Sequence, residues 1–296
     1  MNIKKAIILG IDALEYDLVE EWDLKNLKQE EYGKVELPKY PGEDPNTRII
    51  WPCFITGRMP HEMGYVSSRV FRPPLQFFVN LFLPKIKYIL SPQRDNPKDI
   101  IERRKSKRHR LSLSVYKLFT KMKLTRMPKA SDIKAETIFD SIKNSVHCHV
   151  PVYDEDLPDY SKTVVKAIED KAYRPIFEMK CIIEFNRRTK EVFEWLKRKN
   201  EWDLFMQYFW LLDGVQHAFY KNLKKIAKFY IMFDEFVGKL RKEISDDILL
   251  LIVSDHGQKR GNHTNHGFYS VNKPLGLKNP RLIDFKWIIE DLLKFI

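Results

Sequence analysis

Residues 247–257 read DILLLIVSDHG, and in them a continuous apolar run ends one residue before an aspartate and a histidine. Apolar runs of this length are typical of central strands in a parallel sheet, which is buried on both faces. Asp255 and His256 would then lie at the carboxyl end of a strand, and this is the edge of an open α/β sheet where ligands bind. The stretch therefore predicts both a buried strand and a binding site beside it.

The same pattern occurs at two other places in the chain. The apolar run 6–11 ends directly before Asp12, and the run 203–210 ends shortly before Asp213. Helices are predicted from the apolar spacing at 49–56, 136–142, 161–170, 181–199, 229–242 and 283–295. A further strand is predicted at 145–152. Strands that alternate with helices predict an α/β fold, in which a doubly wound, mostly parallel sheet carries helices on both faces.

The length of the chain favours one large domain. Its 296 residues are short for two full domains, so we expect a single domain over 1–296. Apolar residues make up 44% and charged residues 31%, a composition that excludes a disordered chain. Residues 70–132 interrupt the alternating pattern and are interpreted as an insertion or cap. They include the aromatic and aliphatic stretch 77–90, but no run reaches the ~20 apolar residues of a membrane span, so no transmembrane segment is expected.

The chain is basic, with a formal net charge of +12. Such a charge favours an anionic partner, which could be a phosphate ester, a nucleic acid or an anionic membrane surface. Six of the eight residues from Arg103 to Arg110 are Lys or Arg. This run predicts either a solvated face or a contact with a polyanion or an anionic surface. The three cysteines form no CxxC pair, which fits a reducing, cytoplasmic location. Nothing in the sequence indicates the oligomeric state.

Four places at or beyond the ends of predicted strands carry side chains that bind metals. They are Asp12, Asp213 with His217, Asp255 with His256, and His263 with His266. Mixed carboxylate and imidazole ligands suit Zn, Mn or Fe better than Mg or Ca. Each place alone is also explained by a cap, a turn or a surface pair, but their joint occurrence favours a metal site.

The ordered set of motifs resembles the type I phosphodiesterase/nucleotide pyrophosphatase branch of the alkaline phosphatase superfamily. The matching segments are ILGID at 8–12, Thr47 with Trp51, TG at 56–57, WDLF at 202–205, DGVQH at 213–217, SDHG at 254–257 and HG at 266–267. The resemblance implies an alkaline phosphatase-like fold. It also implies a metal-dependent hydrolase of phosphate esters, most similar to a phosphodiesterase/nucleotide pyrophosphatase, with a small phosphate ester or a nucleotide as its substrate.

Two divalent metal ions and a threonine nucleophile follow from the same resemblance. One ion would be held by Asp213, His217 and His266, and the other by Asp12, Asp255, His256 and the oxygen of Thr47. The family's nucleophile lies nine residues before the threonine of the TG pair, and counting back from Thr56 gives Thr47. Zn is the first choice for both ions and Mn is the second.

Thr47 would act through a phosphothreonine intermediate. A threonine hydroxyl is a poor nucleophile at neutral pH until metal coordination lowers its pKa, and two ions can stabilise the attacking and leaving oxygens. Thr47 is also a favourable helix N-cap, and both roles can hold together. Asn46 and His263 are further candidates for substrate contact, although an Asx turn and a loop surface also explain them.

Other functions remain open at this point. Met63 stands where members of the family usually have a histidine, and Arg48 follows the nucleophile where small residues or proline are common, so the substrate pocket differs from the family pattern. A phosphomonoesterase or a phosphomutase of the same superfamily is one alternative. A sulfatase is disfavoured because the sequence has no C/S-x-P-x-R motif. From a different class, a non-catalytic basic protein could bind polyanions or a membrane surface through 85–125.

Overall fold

The computed structural model describes residues 3–38, 45–60, 62–63, 70–71, 125–154 and 158–293. Most of the predicted insertion at 70–132 lies outside these residues, together with the apolar stretch 77–90 and the basic run Arg103–Arg110. The single domain over 1–296 and its insertion therefore remain predictions. Among the described helices, none is both long and apolar enough to cross a membrane.

A six-stranded sheet forms the centre of the described structure. Its strands are β1 (Lys5–Ile11), β2 (Glu31–Glu36), β5 (Ser145–Cys148), β6 (Leu204–Phe209), β7 (Ile248–Ser254) and β10 (His266–Val271), in the order β2-β10-β7-β1-β6-β5. β5, β6, β1 and β7 run parallel, while β10 is antiparallel to both β7 and β2. Two short pairs, β3 (Val70–Phe71) with β4 (Thr125–Arg126) and β8 (Gln258–Lys259) with β9 (Asn262–His263), lie outside this sheet. The predicted α/β fold with a mostly parallel sheet is confirmed.

Nine α-helices occur in the described part of the chain. They are α1 (Tyr16–Glu21), α2 (Lys25–Lys28), α3 (Thr47–Thr56), α4 (Ile138–Ser141), α5 (Pro158–Glu169), α6 (Arg174–Lys197), α7 (Leu211–Phe219), α8 (Leu223–Glu243) and α9 (Asp284–Leu293). The predicted helices at 49–56, 161–170 and 229–242 fall within or close to these bounds. The helix predicted at 181–199 begins earlier, at Arg174, and ends at Lys197, because the buried side chain of Phe177 continues the apolar face by one turn before Cys181.

Helices cover both faces of the sheet, because neighbouring residues of a strand point to opposite sides. On β6, the ring of Tyr208 contacts Trp51 of α3, with ring centroids 5.3 Å apart. The next residue, Phe209, contacts Phe185 of α6 and Phe233 of α8 on the other face. The buried apolar residues of the strands and of these helices form one continuous core.

β2 and β10 were not predicted, and their positions explain why. β2 is an edge strand whose residues are mostly only partly buried, so the segment Glu31–Glu36 shows no apolar run. β10 begins at His266, and its sequence HGFYSV contains no continuous apolar run. The sheet register pairs His266 with Glu36 of β2, so this candidate ligand is the first residue of a strand.

A close contact between Gly10 and Trp51 fixes α3 against the sheet. A Cβ atom added to Gly10 would lie 2.6 Å from Cη2 of the Trp51 ring. Trp51 is fully buried and contacts Phe54 and Tyr208 as well, so its ring has little space to move away. Because Thr47 lies one helical turn before Trp51, this contact also sets the position of Thr47 over the sheet.

Replacing Gly10 by alanine should therefore lower the free energy of unfolding by about 1–3 kcal/mol, the usual cost of an added methyl group in a packed core. Equilibrium unfolding in urea measures this loss. A cycle with Trp51→Phe tests its cause, because the smaller ring leaves space for the methyl group and the double variant should be more stable than the sum of the two single effects. Strictly additive losses would contradict the contact.

Candidate functional site

Three neighbouring strands bring acidic side chains to one edge of the sheet. β7, β1 and β6 lie side by side and parallel. Asp12 follows the last residue of β1, and Asp255 follows the last residue of β7. After β6 the chain enters α7, which places Asp213 in its first turn. The carboxyl ends of adjacent parallel strands meet at a common edge of the sheet, and this is the edge where ligands bind in open α/β sheets.

Asp12, Asp255 and His256 form the first group of potential ligands. One ligand atom from each of the three residues lies within 4.8 Å of the others. The Nε2 atom of His256 lies 3.3 Å from Oδ1 of Asp12 and 3.6 Å from Oδ2 of Asp255. All three side chains are fully buried. The structure thus brings together the predicted protein ligands of one ion.

Thr47 lies beside this first group. Its hydroxyl donates a hydrogen bond of 3.4 Å to Oδ2 of Asp12. Thr47 is the first residue of α3, and the preceding residue, Asn46, is the N-cap, since its side-chain oxygen accepts a hydrogen bond of 3.0 Å from the Arg48 N–H. The capping role that the sequence left open for Thr47 therefore belongs to Asn46, and the Thr47 hydroxyl points to the carboxylates.

Tyr208, a residue that no sequence motif identified, contacts the same oxygen of Asp12. Its hydroxyl donates a hydrogen bond of 2.5 Å to Oδ2 of Asp12. With Thr47 and Tyr208 both on Oδ2, the other oxygen of Asp12 has no hydrogen-bond donor among the described residues. The signal for Tyr208 was its place at the end of a strand next to β1, but only the sheet order shows that it faces Asp12.

Asp213, His217 and His263 form the second group. Asp213 and His217 lie one turn apart on α7, with His217 Nε2 3.1 Å from Asp213 Oδ1. The Nε2 atom of His263 is 3.4 Å from the same oxygen and 3.2 Å from Nε2 of His217. The backbone carbonyl of Pro45 lies 3.0 Å from Nδ1 of His263, which orients this ring with Nε2 towards Asp213.

The two groups adjoin each other. The rings of His256 and His263 are stacked, with centroids 3.9 Å apart and an angle of 19° between their planes. His256 belongs to the first group and His263 to the second. The ligand atoms of both groups therefore surround one region at the sheet edge, with Thr47 at its border.

His266 occupies a different place from the one that the resemblance implies. Its Nε2 atom lies 3.1 Å from Oε1 of the buried Glu15, and it groups with Glu15 and Asp17 instead of Asp213 and His217. Glu15 also accepts hydrogen bonds from the Thr264 hydroxyl and from the Asp17 N–H. These contacts connect the loop after β1 to the segment that leads from β9 to β10, and they leave His263 as the histidine that reaches the second group.

Burial and mutual repulsion dominate the electrostatics of the first group. Burial, and then the charges of Asp255 and Asp213, raise the pKa of Asp12 well above its ordinary value. Burial likewise raises the pKa of Asp255 to about 6. It acts in the opposite direction on His256, whose pKa it lowers, because burial disfavours the charged form of any group.

The second group is balanced differently. Burial acts to raise the pKa of Asp213, but hydrogen bonds from His217 and His263 outweigh it, and the pKa lies below its ordinary range. Burial opposes a charge on His263 too, yet the hydrogen bond to Asp213 raises the pKa of His263 to about 9. The histidines of this group thus stabilise the charged form of Asp213.

The donor atoms of the site fit divalent cations. Among the described residues, buried oxygen and nitrogen atoms of the first group lack hydrogen-bond partners, namely Oδ1 of Asp12, both carboxylate oxygens of Asp255 and Nε2 of His256. Buried polar atoms without such partners are costly, and three carboxylates close together repel one another. Oxygen and imidazole nitrogen atoms are also the donors that Zn and Mn accept.

Comparison with known proteins gives relatives of two kinds. A curated relative, GPI ethanolamine phosphate transferase 3 of Saccharomyces cerevisiae, is 33% identical over 79 residues, which is 26% of this chain and 8% of that protein. The chain therefore matches only a small part of the length of this relative.

Solved structures are similar at low sequence identity. The protein PH0037 from Pyrococcus horikoshii has a TM-score of 0.47 and 14% identity, over 99% of this chain and 98% of that one. Murine ectonucleotide pyrophosphatase / phosphodiesterase 5 has a TM-score of 0.44 and 14% identity, over 86% of this chain and 57% of that one, and an inactive variant of it was solved in complex with AMP.

A sequence model of one protein family extends over nearly the whole chain. The model for type I phosphodiesterase / nucleotide pyrophosphatase matches residues 6–292, which include both groups of potential ligands and Thr47. The chain belongs to the type I phosphodiesterase / nucleotide pyrophosphatase family.

Proposed function

We propose that the chain hydrolyses phosphodiester or phosphoanhydride bonds of a nucleotide or a related small phosphate ester, with Thr47 as the nucleophile. The observation that carries this proposal is the position of the Thr47 hydroxyl, which donates to Asp12 at the border of two adjoining groups of buried ligand atoms. A structural cap would not need this placement, since Asn46 already caps α3.

Two divalent cations complete the proposed site. One is held by Asp12, Asp255 and His256 with the oxygen of Thr47, and the other by Asp213, His217 and His263. The third ligand of the second ion is thus proposed to be His263, because His266 is engaged by Glu15. When bound, such cations lower the pKa of a coordinated hydroxyl and stabilise negative charge on phosphoryl oxygens. Zn suits the mixed donor set best and Mn is the second choice.

The side chains divide the remaining work. Oδ2 of Asp12 accepts the hydroxyl proton of Thr47 while the Thr47 oxygen forms its bond to phosphorus and the bond to the leaving oxygen breaks. Tyr208 fixes the Asp12 carboxylate so that Oδ2 faces Thr47. The amino end of α3, where Thr47 lies, favours the negative phosphoryl oxygens. In the second step the oxygen of water bonds to phosphorus, the bond between phosphorus and the Thr47 oxygen breaks, and Asp12 returns its proton to the Thr47 oxygen.

The test of this function compares two substrates. Hydrolysis of bis-p-nitrophenyl phosphate and of p-nitrophenyl phosphate is measured with Zn, with Mn and after treatment with EDTA. We expect metal-dependent turnover that favours the diester and disappears on chelation. A preference for the monoester would replace the phosphodiesterase by a phosphomonoesterase at the same site. Turnover that is unchanged after complete removal of metal would contradict the proposed role of the cations.

A further inference from the structure

Exposed apolar side chains are concentrated in three helices and one connection of the described structure. Ten large hydrophobic residues of the described chain are exposed, and eight of them belong to α5, α6 and α8 or to the short connection between α7 and α8: Val165, Ile168, Ile176, Met179, Ile183, Tyr220, Leu223 and Ile231. We call these eight residues the apolar rim. Scattered single exposed hydrophobic residues are normal, but such a concentration indicates an interaction surface.

The exposed part of α6 is amphipathic. Ile176, Met179 and Ile183 are spaced by three and four residues, so they share one side of the helix, and Met179 and Ile183 are 54% and 59% exposed. The buried residues Phe177 and Cys181 lie on the opposite side. The apolar side chains of this stripe therefore face away from the core.

The part of the apolar rim on α6 lies near the end of the sheet that carries the candidate site. Phe185 of α6 contacts Phe209 at the carboxyl end of β6, and Trp195, further along α6, contacts Phe205 nearer the beginning of β6. α6 thus runs antiparallel to β6, and its residues before Phe185 lie towards or beyond the sheet edge that carries the ligands. Phe177 confirms this direction, since its ring contacts Phe219 of α7.

Tyr220 connects the apolar rim to the site itself. A Cβ atom added to Gly261 would lie 3.4 Å from Cβ of Tyr220. Gly261 is in the turn between β8 and β9, and β9 ends with His263. The rim therefore adjoins the hairpin that supplies a histidine to the second group.

The surroundings of the apolar rim are basic. The segments 161–183 and 220–231 contain nine Lys and Arg residues (Lys162, Lys166, Lys171, Arg174, Lys180, Lys221, Lys224, Lys225 and Lys228) against three acidic residues (Glu169, Asp170 and Glu178), a net charge of +6. Glu178 is itself paired with Lys225 and Lys228. Exposed apolar side chains among lysines match an anionic bilayer, whose headgroups attract the lysines while its interfacial region accepts the apolar groups.

We propose that the apolar rim and its lysines bind the surface of an anionic phospholipid bilayer, with the candidate site beside the contacting surface. The side chains would enter only the interfacial region, since the three helices remain packed on the core through their other faces. Membrane contact does not require the proposed hydrolysis, so each can be tested without the other.

Sedimentation with vesicles tests the proposal. The full chain is mixed with vesicles of phosphatidylcholine alone and with vesicles that also contain phosphatidylglycerol. We expect binding to the anionic vesicles, weakened by salt, and much weaker binding to the neutral ones. The absence of binding to anionic vesicles at low salt would overturn the proposal.

A double variant, Met179→Glu with Ile183→Glu, locates the contact. It should lower partitioning onto anionic vesicles by at least ~10-fold, because it removes two apolar groups and adds two negative charges. Met127→Glu is the control for a glutamate at an exposed apolar position elsewhere, since Met127 lies outside the three helices, and the binding of this variant should be close to that of the wild type. Circular dichroism and hydrolysis of a soluble diester report whether both variants are folded.

Two outcomes would show that the rim has another role. Full binding by the double variant would place the membrane contact elsewhere, for example in the basic run Arg103–Arg110. A dimer in analytical ultracentrifugation that the double variant dissociates, without vesicle binding by the wild type, would make the rim a contact between two copies of the chain. Either result contradicts the proposed membrane surface.

Discussion

Replacing Thr47 by alanine is expected to lower hydrolysis of bis-p-nitrophenyl phosphate by more than about 10³-fold, since a two-step reaction cannot proceed without its nucleophile. The alanine variant keeps the cap of α3, because the oxygen of Asn46 still accepts the Arg48 N–H. It also keeps the contact of Trp51 with Gly10 that positions the helix. The loss should therefore appear in kcat with little change in the melting temperature.

Thr47→Ser is the matched control for this prediction. Serine keeps a hydroxyl group on the same carbon, so it should retain a measurable part of the diesterase activity while alanine does not. Acid quenching of the wild type during turnover, followed by mass spectrometry, should find the transferred phosphoryl group on the peptide that contains Thr47. An alanine variant with wild-type kcat would show that water or another residue attacks the substrate directly.

The fold was predictable because its central strands are buried on both faces. The segments 6–11, 203–210 and 247–253 are mainly apolar, and short apolar runs of this kind are typical of central strands in a parallel sheet. The edge strand β2 and the antiparallel strand β10 could not be predicted in this way. β2 is partly exposed, and its residues carry no periodic signal that separates it from a loop.

The candidate site was predictable in part, for a similar reason. Asp12, Asp255 and His256 follow directly from strand ends, and Asp213 with His217 from the spacing of one helical turn. Local patterns could not select between His263 and His266, which lie three residues apart. That choice depends on Glu15, a buried residue from the far end of the chain, and on the hairpin of β8 and β9.

The glycine at position 257 helps to determine which of His263 and His266 reaches Asp213. A Cβ atom added there would lie 2.1 Å from Oε2 of Glu15 and 2.5 Å from Oγ1 of Thr264. Glycine thus lets Glu15 reach the hairpin and accept bonds from Thr264 and His266. With His266 held at Glu15 as the first residue of β10, the turn of β8 and β9 directs His263 to Asp213.

His263→Ala is therefore expected to weaken metal binding, whereas His266→Ala is expected to leave it unchanged. Loss of His263 removes a proposed ligand of the second ion, so the affinity for that ion should fall by about 10²-fold or more, and diesterase activity should fall with it. Loss of His266 should leave both ions bound. Its cost should be a lower stability, of about 1–2 kcal/mol, because the buried Glu15 loses one of its hydrogen bonds.

Two measurements separate the variants. Inductively coupled plasma mass spectrometry gives the metal content after dialysis, and isothermal titration of Zn into the chelated protein gives the affinity. His266→Gln is a further control, since its amide can still donate to Glu15 and should recover much of the stability that alanine loses. Loss of one ion in His266→Ala, with both ions kept in His263→Ala, would restore the ligand set that the sequence resemblance implies. The two histidines are three residues apart in one segment, so general damage to the fold would affect both variants. A difference in metal content between the two variants therefore reports on metal ligation alone.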